Sequence, residues 1–486
     1  MKDRGARESK TMVDISQVRI RSKINSYLSQ QKRPAKLLRA FTKGHGYCHG
    51  LAVLVAYAQY LEYIQIKHPS TQPMDDWKWL KATLNTLSCW DENLNALSGE
   101  TIADIERFIG HIYFIQHVSK YLSIGQGSLH LYLDDTAQRQ IKLEYTLAGL
   151  FTAKDFTQAL DLQQNQKTNL INVLTQYQRR IIIISCGNHS LSLFRSGSVI
   201  TLYNANHKSG LQKYSTRHPE LLVRAIFKSY KFTNKNPSPI GFRIFTFDNK
   251  LASYPEQQII LKQLNPPLLS KLQEREIDYS ALHIATRIGS TECVSHYLDN
   301  GAELDSTMAR MRTSLHIAAS RNYTSIAEIL IAKNADINKQ LDKHSSPLIR
   351  ACEKSHIHIV KLMLDHPANA SFENLLTVLS HLNSHKSRHY LINKLNKTTL
   401  RQMMNDRFHA ETVLQQYKSS DKYNKKIHSL LVCLLHTHSF SGQLMVTKYD
   451  FTFFSMNQNK HPYRQLDKSE NMKDENSTAM GKYAML

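Results

Sequence analysis

The sequence predicts an α+β domain in the first half of the chain and an all-α solenoid of helical repeats in the second. Three observations lead there. A long apolar helix pattern begins at Cys48 and runs to Leu61 as Cys-His-Gly-Leu-Ala-Val-Leu-Val-Ala-Tyr-Ala-Gln-Tyr-Leu. Strand patterns follow at Ile181–Ile184 and His189–Phe194, and the turn residues Ser196-Gly-Ser198 join the second of these to a returning run, Val199–Tyr203. Further on, Leu282, Leu315 and Leu348 stand in matching hexapeptides at a constant step of 33 residues.

The chemistry of the first half gathers on that helix and that hairpin. Gly44 and Gly46 lie just upstream of Cys48. A thiol at a helix N-terminus feels the positive end of the macrodipole and the free N–H groups, which favours thiolate. Glycines beside it let backbone N–H groups approach a substrate carbonyl. His189 begins one strand of the hairpin, and Asn204 falls at the same end of the returning strand. The Asn204 side-chain oxygen would then be within reach of the imidazole N–H. His207 and Asp248 are the alternative base and acid, and Cys186 is a competing thiol, read as a buried strand residue.

Gly46-Tyr-Cys48-His-Gly50, Asn188-His189 and Leu202-Tyr-Asn204-Ala-Asn206 resemble, in that chain order, the papain-like (clan CA) cysteine peptidases. Their local text is similar to the type III effector peptidases of the YopT/AvrPphB kind. In those proteins a Gly-x-Cys-x-Gly element opens the catalytic helix, a His begins a strand, and an Asp-Pro-Asn-type element ends the next. The resemblance covers roughly residues 41–250 and implies Cys48 as nucleophile, His189 as general base and Asn204 as the residue that orients it. Asn204 stands where that effector family carries Asp, although papain itself uses Asn. The oxyanion-hole Gln or Asn of the family has no counterpart among Thr42, Lys43 and His45.

The repeating hexapeptides are Ser280-Ala-Leu-His-Ile-Ala285, Thr313-Ser-Leu-His-Ile-Ala318 and Ser346-Pro-Leu-Ile-Arg-Ala351. Each resembles the T-P-L-H-x-A motif of ankyrin repeats, in which the first residue opens a helix and the Leu and Ala pack between helices. Second helices follow in phase at Cys293–Leu298, Ile326–Leu330 and Ile359–Leu364, then the turns Asn300-Gly-Ala-Glu and Asn334-Ala-Asp-Ile-Asn338 and a degraded His366-Pro-Ala-Asn369. A single repeat cannot bury its own apolar face, so capping helices are expected. Phe372–Leu395 is read as a fourth, degenerate repeat and Thr399–His438 as closing helices. His283 and His316 are expected to serve the scaffold.

The expected organisation is therefore a basic N-terminal segment (1–40), an α+β papain-like cysteine peptidase-like domain (41–255), a linker (256–276), an all-α ankyrin-repeat solenoid (277–398), a helical cap (399–460) and a disordered tail (461–486). The last twenty residues, from Asp467, carry Glu470, Asp474 and Glu475 ahead of small and apolar residues. They resemble a Dot/Icm (type IV) translocation signal. With the other two features they make the chain similar to the ankyrin-repeat effectors of Legionella. That resemblance implies delivery into the host cytoplasm, with the nucleus as an alternative destination, where the repeats would choose a host protein and the thiol site would act on it. The alternative function is a host-protein adaptor whose papain-like domain is a vestigial or binding scaffold.

Composition bounds these readings. The chain has 486 residues, 41% hydrophobic and 21% charged, ordinary for folded protein. Its charged start is unlike a Sec-type signal peptide, and the apolar run Leu51–Ala58 is too short for a membrane helix. Six cysteines scattered singly argue for reduced thiols. The 62 Lys and Arg against 40 Asp and Glu give a net charge of +22. That excess is spread out, with 11 basic against 3 acidic residues in the first forty, and no nucleic-acid motif accompanies it, so nucleic acid is not expected as the principal ligand. No cofactor or metal is expected: His45, Cys48 and His49 lack a second cluster at zinc-site spacing, and Cys433, His436 and His438 are equally isolated.

Overall fold

A computed structural model describes residues 16–30, 47–67, 75–121 and, apart from short breaks, 142–437. The chain is a mixed α+β protein that divides into two compact units, Met1–Ser314 and Leu315–Leu486.

The first unit opens with helices α1 (Gln17–Gln30), α2 (Cys48–Lys67), α3 (Asp75–Cys89) and α4 (Gly99–Tyr121). Helix α2 is apolar on every side, and Leu51 to Val55 are all at most 2% exposed. Such a helix must be enclosed. Strands cover it on one side, while α3 and α4 pack on it and α1 packs on α3. Gly50 permits the closest approach, because a Cβ there would lie 2.6 Å from the Ile112 carbonyl oxygen of α4. Of the basic segment expected over 1–40, the described residues 16–30 are part of the core. Its Ile20, Ile24, Tyr27 and Leu28 form a helical stripe and are buried. Two of its cations cap α3: Arg19 Nε donates to Ser88 O at 2.7 Å, and Lys23 Nζ donates to Trp90 O just beyond the helix.

Next come β1 (Lys142–Phe151), α5 (Ala153–Thr157), β2 (Ala159–Asp161), β3 (Lys167–Asn169) and α6 (Leu170–Thr175). They are followed by β4 (Arg180–Cys186), β5 (His189–Ser196), β6 (Val199–Asn204), β7 (Leu211–Ser215), α7 (Pro219–Ser229) and β8 (Ser238–Thr246). Six strands form one antiparallel sheet in the order β1-β8-β4-β5-β6-β7. The expected β4–β5–β6 meander is present, turning at Gly197 with φ +60°. The alternation expected for β5 gives way to burial of Ser190 through Phe194, because α2 covers one face of the sheet and α6 contacts β5 as well. Phe151, Phe156, Phe227 and Phe242 pack in a second apolar layer, edge to face except for the tilted Phe156–Phe242 pair. The fully buried Arg180 is held by Glu144 of β1, with Nε–Oε2 at 2.8 Å, and by Val173 O at 3.0 Å.

The span 256–276, expected as a linker, carries helix α8 (Glu256–Leu264) and strand β9 (Leu269–Leu272), which pairs with β10 (Ile277–Ser280). Helices α9 (Ala281–Ile288) and α10 (Thr291–Asp299) follow. These elements close the outer edge of the sheet. The β1 carbonyls accept from side chains: Thr146 O from Gln257 Nε2 at 2.6 Å and Cys293 Sγ at 3.8 Å, and Ala148 O from Tyr297 OH at 2.6 Å. Glycines make the approach possible, since a Cβ on Gly149 would collide with the Tyr297 hydroxyl and one on Gly241 with the Ile288 side chain. Arg243 Nη2 donates to Ile288 O at 2.8 Å. Ser185 lies opposite both Ser190 and Gly241, so these three share a sheet face. That face holds both α2, through His49 and Ser190, and α9, through Ile288.

The second unit continues with α11 (Ser314–Arg321), α12 (Thr324–Ala332), α13 (Pro347–Glu353), α14 (Ile357–Leu364), α15 (Phe372–His381), α16 (His385–Lys394), α17 (Arg407–Lys418) and α18 (Lys425–Thr437). Within it α12 packs on α14 and α14 on α16, while α13 packs on α15, which in turn meets α17 and α18. The 33-residue step recurs in the backbone. Gly289, Asn322 and Ser355 all have positive φ, at 84°, 59° and 58°. The N–H of the next residue returns to the motif alanine each time, as Ser290 to Ala285, Tyr323 to Ala318 and His356 to Ala351. This is a Schellman closure of the first helix. Helix α15 ends without it, and Arg388 donates instead to the Leu379 and Leu382 carbonyls. The tail expected to be disordered (461–486), and the loops 308–311 and 341–345, lie outside the described residues.

Two substitutions test this reading by urea unfolding of the full chain. Gly241→Val should destabilise the first unit by about 1–3 kcal/mol, because Ile288 must move. Ser355→Gly should stabilise the second by about 0.5–1 kcal/mol, since a left-handed Ser is strained where Gly is not.

Candidate active site

Cys48 is the first residue of α2, held where the helix meets the β4–β5 hairpin. It is 4% exposed. Burial is the largest influence on its thiol and raises the pKa above the ordinary 9.0, while backbone N–H groups of Ser190, His49 and Cys48 itself pull the other way. The amides expected from a helix N-terminus are therefore present, and desolvation outweighs them.

His189 opens β5, opposite Cys186 of β4. Its Nε2 lies 2.9 Å from Asn204 Oδ1, at the end of β6. Asn204 Nδ2 donates to Ser229 Oγ at 3.0 Å, and Asn206 N–H donates to Asn204 Oδ1 at 2.9 Å. The Tyr230 ring stands edge-on to His189 at 5.7 Å, and its hydroxyl donates to Ile184 O at 2.9 Å. Burial lowers the His189 pKa below 6.5, partly offset by the bond to Asn204. Burial also pushes Tyr230 well above 10.0, with the Cys186 and Cys48 thiols adding to it. At neutral pH the resting site thus holds a neutral thiol and a neutral imidazole.

The structure joins His189 and Asn204 directly, and it brings Cys48 to the amide of the residue next to His189. His49 Nδ1 lies 3.2 Å from Ser190 Oγ, which lies 3.1 Å from Ser185 Oγ, tying α2 to both strands of the hairpin. The alternatives stand apart from this arrangement. His207 Nδ1 faces Ser209 Oγ at 3.1 Å within the β6–β7 turn. The Cys186 thiol is pushed up to about 12 by burial, with Arg287 of α9 lowering it slightly. Asp248, and the segment 41–46 with Gly44, His45 and Gly46, lie outside the described residues, as does His438. Ser190, Ser229 and Tyr230 were not legible from sequence. A strand serine and the last residues of a helix carry no spacing signal of their own.

In the motif histidines, His283 Nε2 faces Arg312 O at 3.0 Å, and burial lowers its pKa to about 4, so it is neutral and structural. Among the described residues no group of three or more His, Cys, Asp or Glu is placed to hold a metal ion, and no helix is long and apolar enough to cross a membrane.

The midpoint of thiolate formation at Cys48 should lie above pH 9, because burial raises its pKa from the ordinary 9.0. The difference in ultraviolet thiolate absorbance between the wild type and Cys48→Ser measures this directly; a thiolate already present at pH 7 would contradict it.

No curated protein matches the chain. Residues 257–341 match the family model for ankyrin repeats (3 copies), a span from α8 through the second repeat that starts upstream of the first motif hexapeptide. Ankyrin repeats are therefore present in this chain, and their first motif repeat is built into the same compact unit as the candidate thiol site.

Proposed function

We propose that the chain is a translocated effector in which ankyrin repeats bind a host protein and a papain-like thiol site hydrolyses an acyl bond in it. Ankyrin repeats typically mediate protein–protein binding, which supports the first half of this reading. The observation that carries the second is the 2.9 Å His189–Asn204 bond on the hairpin against which the Cys48 helix begins. In the proposed reaction His189 takes the Cys48 proton as the sulfur bonds to the acyl carbon. The carbon–leaving-group bond breaks, and the leaving group departs with the proton from His189. A water deprotonated by His189 then cleaves the thioester, releasing the acid and restoring the Cys48 thiol. A neutral resting pair suits this sequence, since deprotonation is coupled to attack. The acidic, small-residue tail supports delivery into a host cell.

The burial of Cys48 and its raised pKa favour a second reading, an adaptor whose thiol fold is only a scaffold. Labelling of the full chain with a peptidyl vinyl sulfone at neutral pH separates the two. For the hydrolase, Cys48 is modified stoichiometrically and His189→Ala slows labelling by roughly 100-fold or more. Equal rates in wild type and His189→Ala would leave the adaptor.

A further inference from the structure

Ser229 ends helix α7 and Asn206 stands in the turn after β6, and we propose that these two are positioning residues that fix which nitrogen of His189 carries its proton. Ser229 Oγ donates to Ala225 O at 2.8 Å, one turn back along α7. Its hydrogen is thereby committed, and a lone pair faces Asn204 Nδ2 at 3.0 Å. On the other side of the amide, the Asn206 backbone N–H points at Asn204 Oδ1 from 2.9 Å. A backbone N–H can only donate. An inverted Asn204 amide would set Nδ2 against that donor and turn Oδ1 toward a hydroxyl whose hydrogen is spent elsewhere. Both neighbours therefore select one amide orientation, with Oδ1 toward His189.

A carbonyl oxygen only accepts, so the His189 nitrogen 2.9 Å away must be the one that bears hydrogen. That leaves the Nδ1 lone pair as the acceptor. The exposed Asn206 side-chain amide lies 3.4 Å from Nδ1, at the outer limit of a hydrogen bond, so the lone pair stays available. The order of control runs from Ser229 and the Asn206 backbone, through Asn204, to the tautomer of His189. Burial of Asn204, 6% exposed, keeps water from substituting for Ser229. The consequence for catalysis rests on the hydrolase reading, because only a base at Nδ1 needs this tautomer.

The test uses the full chain with nitrogen-15 in its histidines, and reads the His189 tautomer by NMR alongside the vinyl sulfone labelling rate of Cys48. Wild type is expected to show a single Nε2–H tautomer. Ser229→Ala should give a mixture of tautomers and slow labelling roughly three- to tenfold. Ser229→Thr, which keeps the hydroxyl, should restore both readings. Ser229→Cys, of similar volume but a weaker acceptor, should fall between wild type and Ala even where Ala disturbs the helix. An unchanged single tautomer in Ser229→Ala, or a failure of Thr to restore it, would overturn the proposal while His189-dependent labelling upheld the hydrolase. A shifted tautomer with labelling untouched even in His189→Ala would uphold the tautomer lock and sink the hydrolase.

Discussion

Helix α2 has no polar face, and the arrangement of the first unit follows from that constraint. An all-apolar helix has to be enclosed, so the sheet covers one side of it and α3 and α4 pack on the rest, with α1 behind α3 in the same core. Enclosure brings its polar N-terminus against the hairpin, where His49 and the serines of β4 and β5 satisfy one another. The same enclosure sets the electrostatics. The helix N-terminus alone would favour a thiolate at Cys48, but the dry surroundings that hold the helix in place favour the thiol. Position and protonation state at Cys48 thus have one cause.

Much of this was legible in the sequence, for physical reasons that differ by element. The hairpin was readable because Ser196-Gly-Ser198 admits the positive φ that a tight turn requires, and once that turn is placed the register sets Asn204 opposite Leu191, with His189 two residues further on the same face. The repeats were readable because each copy sets Leu and Ala at the same 33-residue step; the structure adds a capping hydroxyl at Ser280 and Ser346 and a left-handed residue at Gly289, Asn322 and Ser355. The packing of the first repeat on the sheet was not legible. It depends on side chains such as Cys293 and Tyr297 meeting carbonyls over 100 residues earlier in the chain, and local periodicity does not encode long-range meetings. Its only trace was two glycines inside strands, Gly149 and Gly241, which mark close approach of another element.

The support of Asn204 shows the same limit. Asn204 and Asn206 sit in a turn where asparagine is common for its own sake, and Ser229 sits at a helix end where serine is unremarkable. Their roles appear only when α7 is placed against the end of β6, so that one hydroxyl and one backbone N–H bracket a single amide. Sequence spacing could nominate His189 and Asn204, which the structure joins. The residues one step behind them were decided by the packing of α7.

An outer strand of a sheet is an open template for another chain, and proteins cover or disrupt it. Here the cover on β1 comes from α8, through Gln257, and from the first repeat, through Cys293 and Tyr297. Repeats in an array are similar units stacked on their neighbours, but in this chain the first of them also serves the sheet. Replacing the first repeat by a copy of another would strip the Cys293 and Tyr297 donors from β1 and open that edge to another strand. The first repeat is thereby tied to the sheet as well as to the 33-residue pattern of its array.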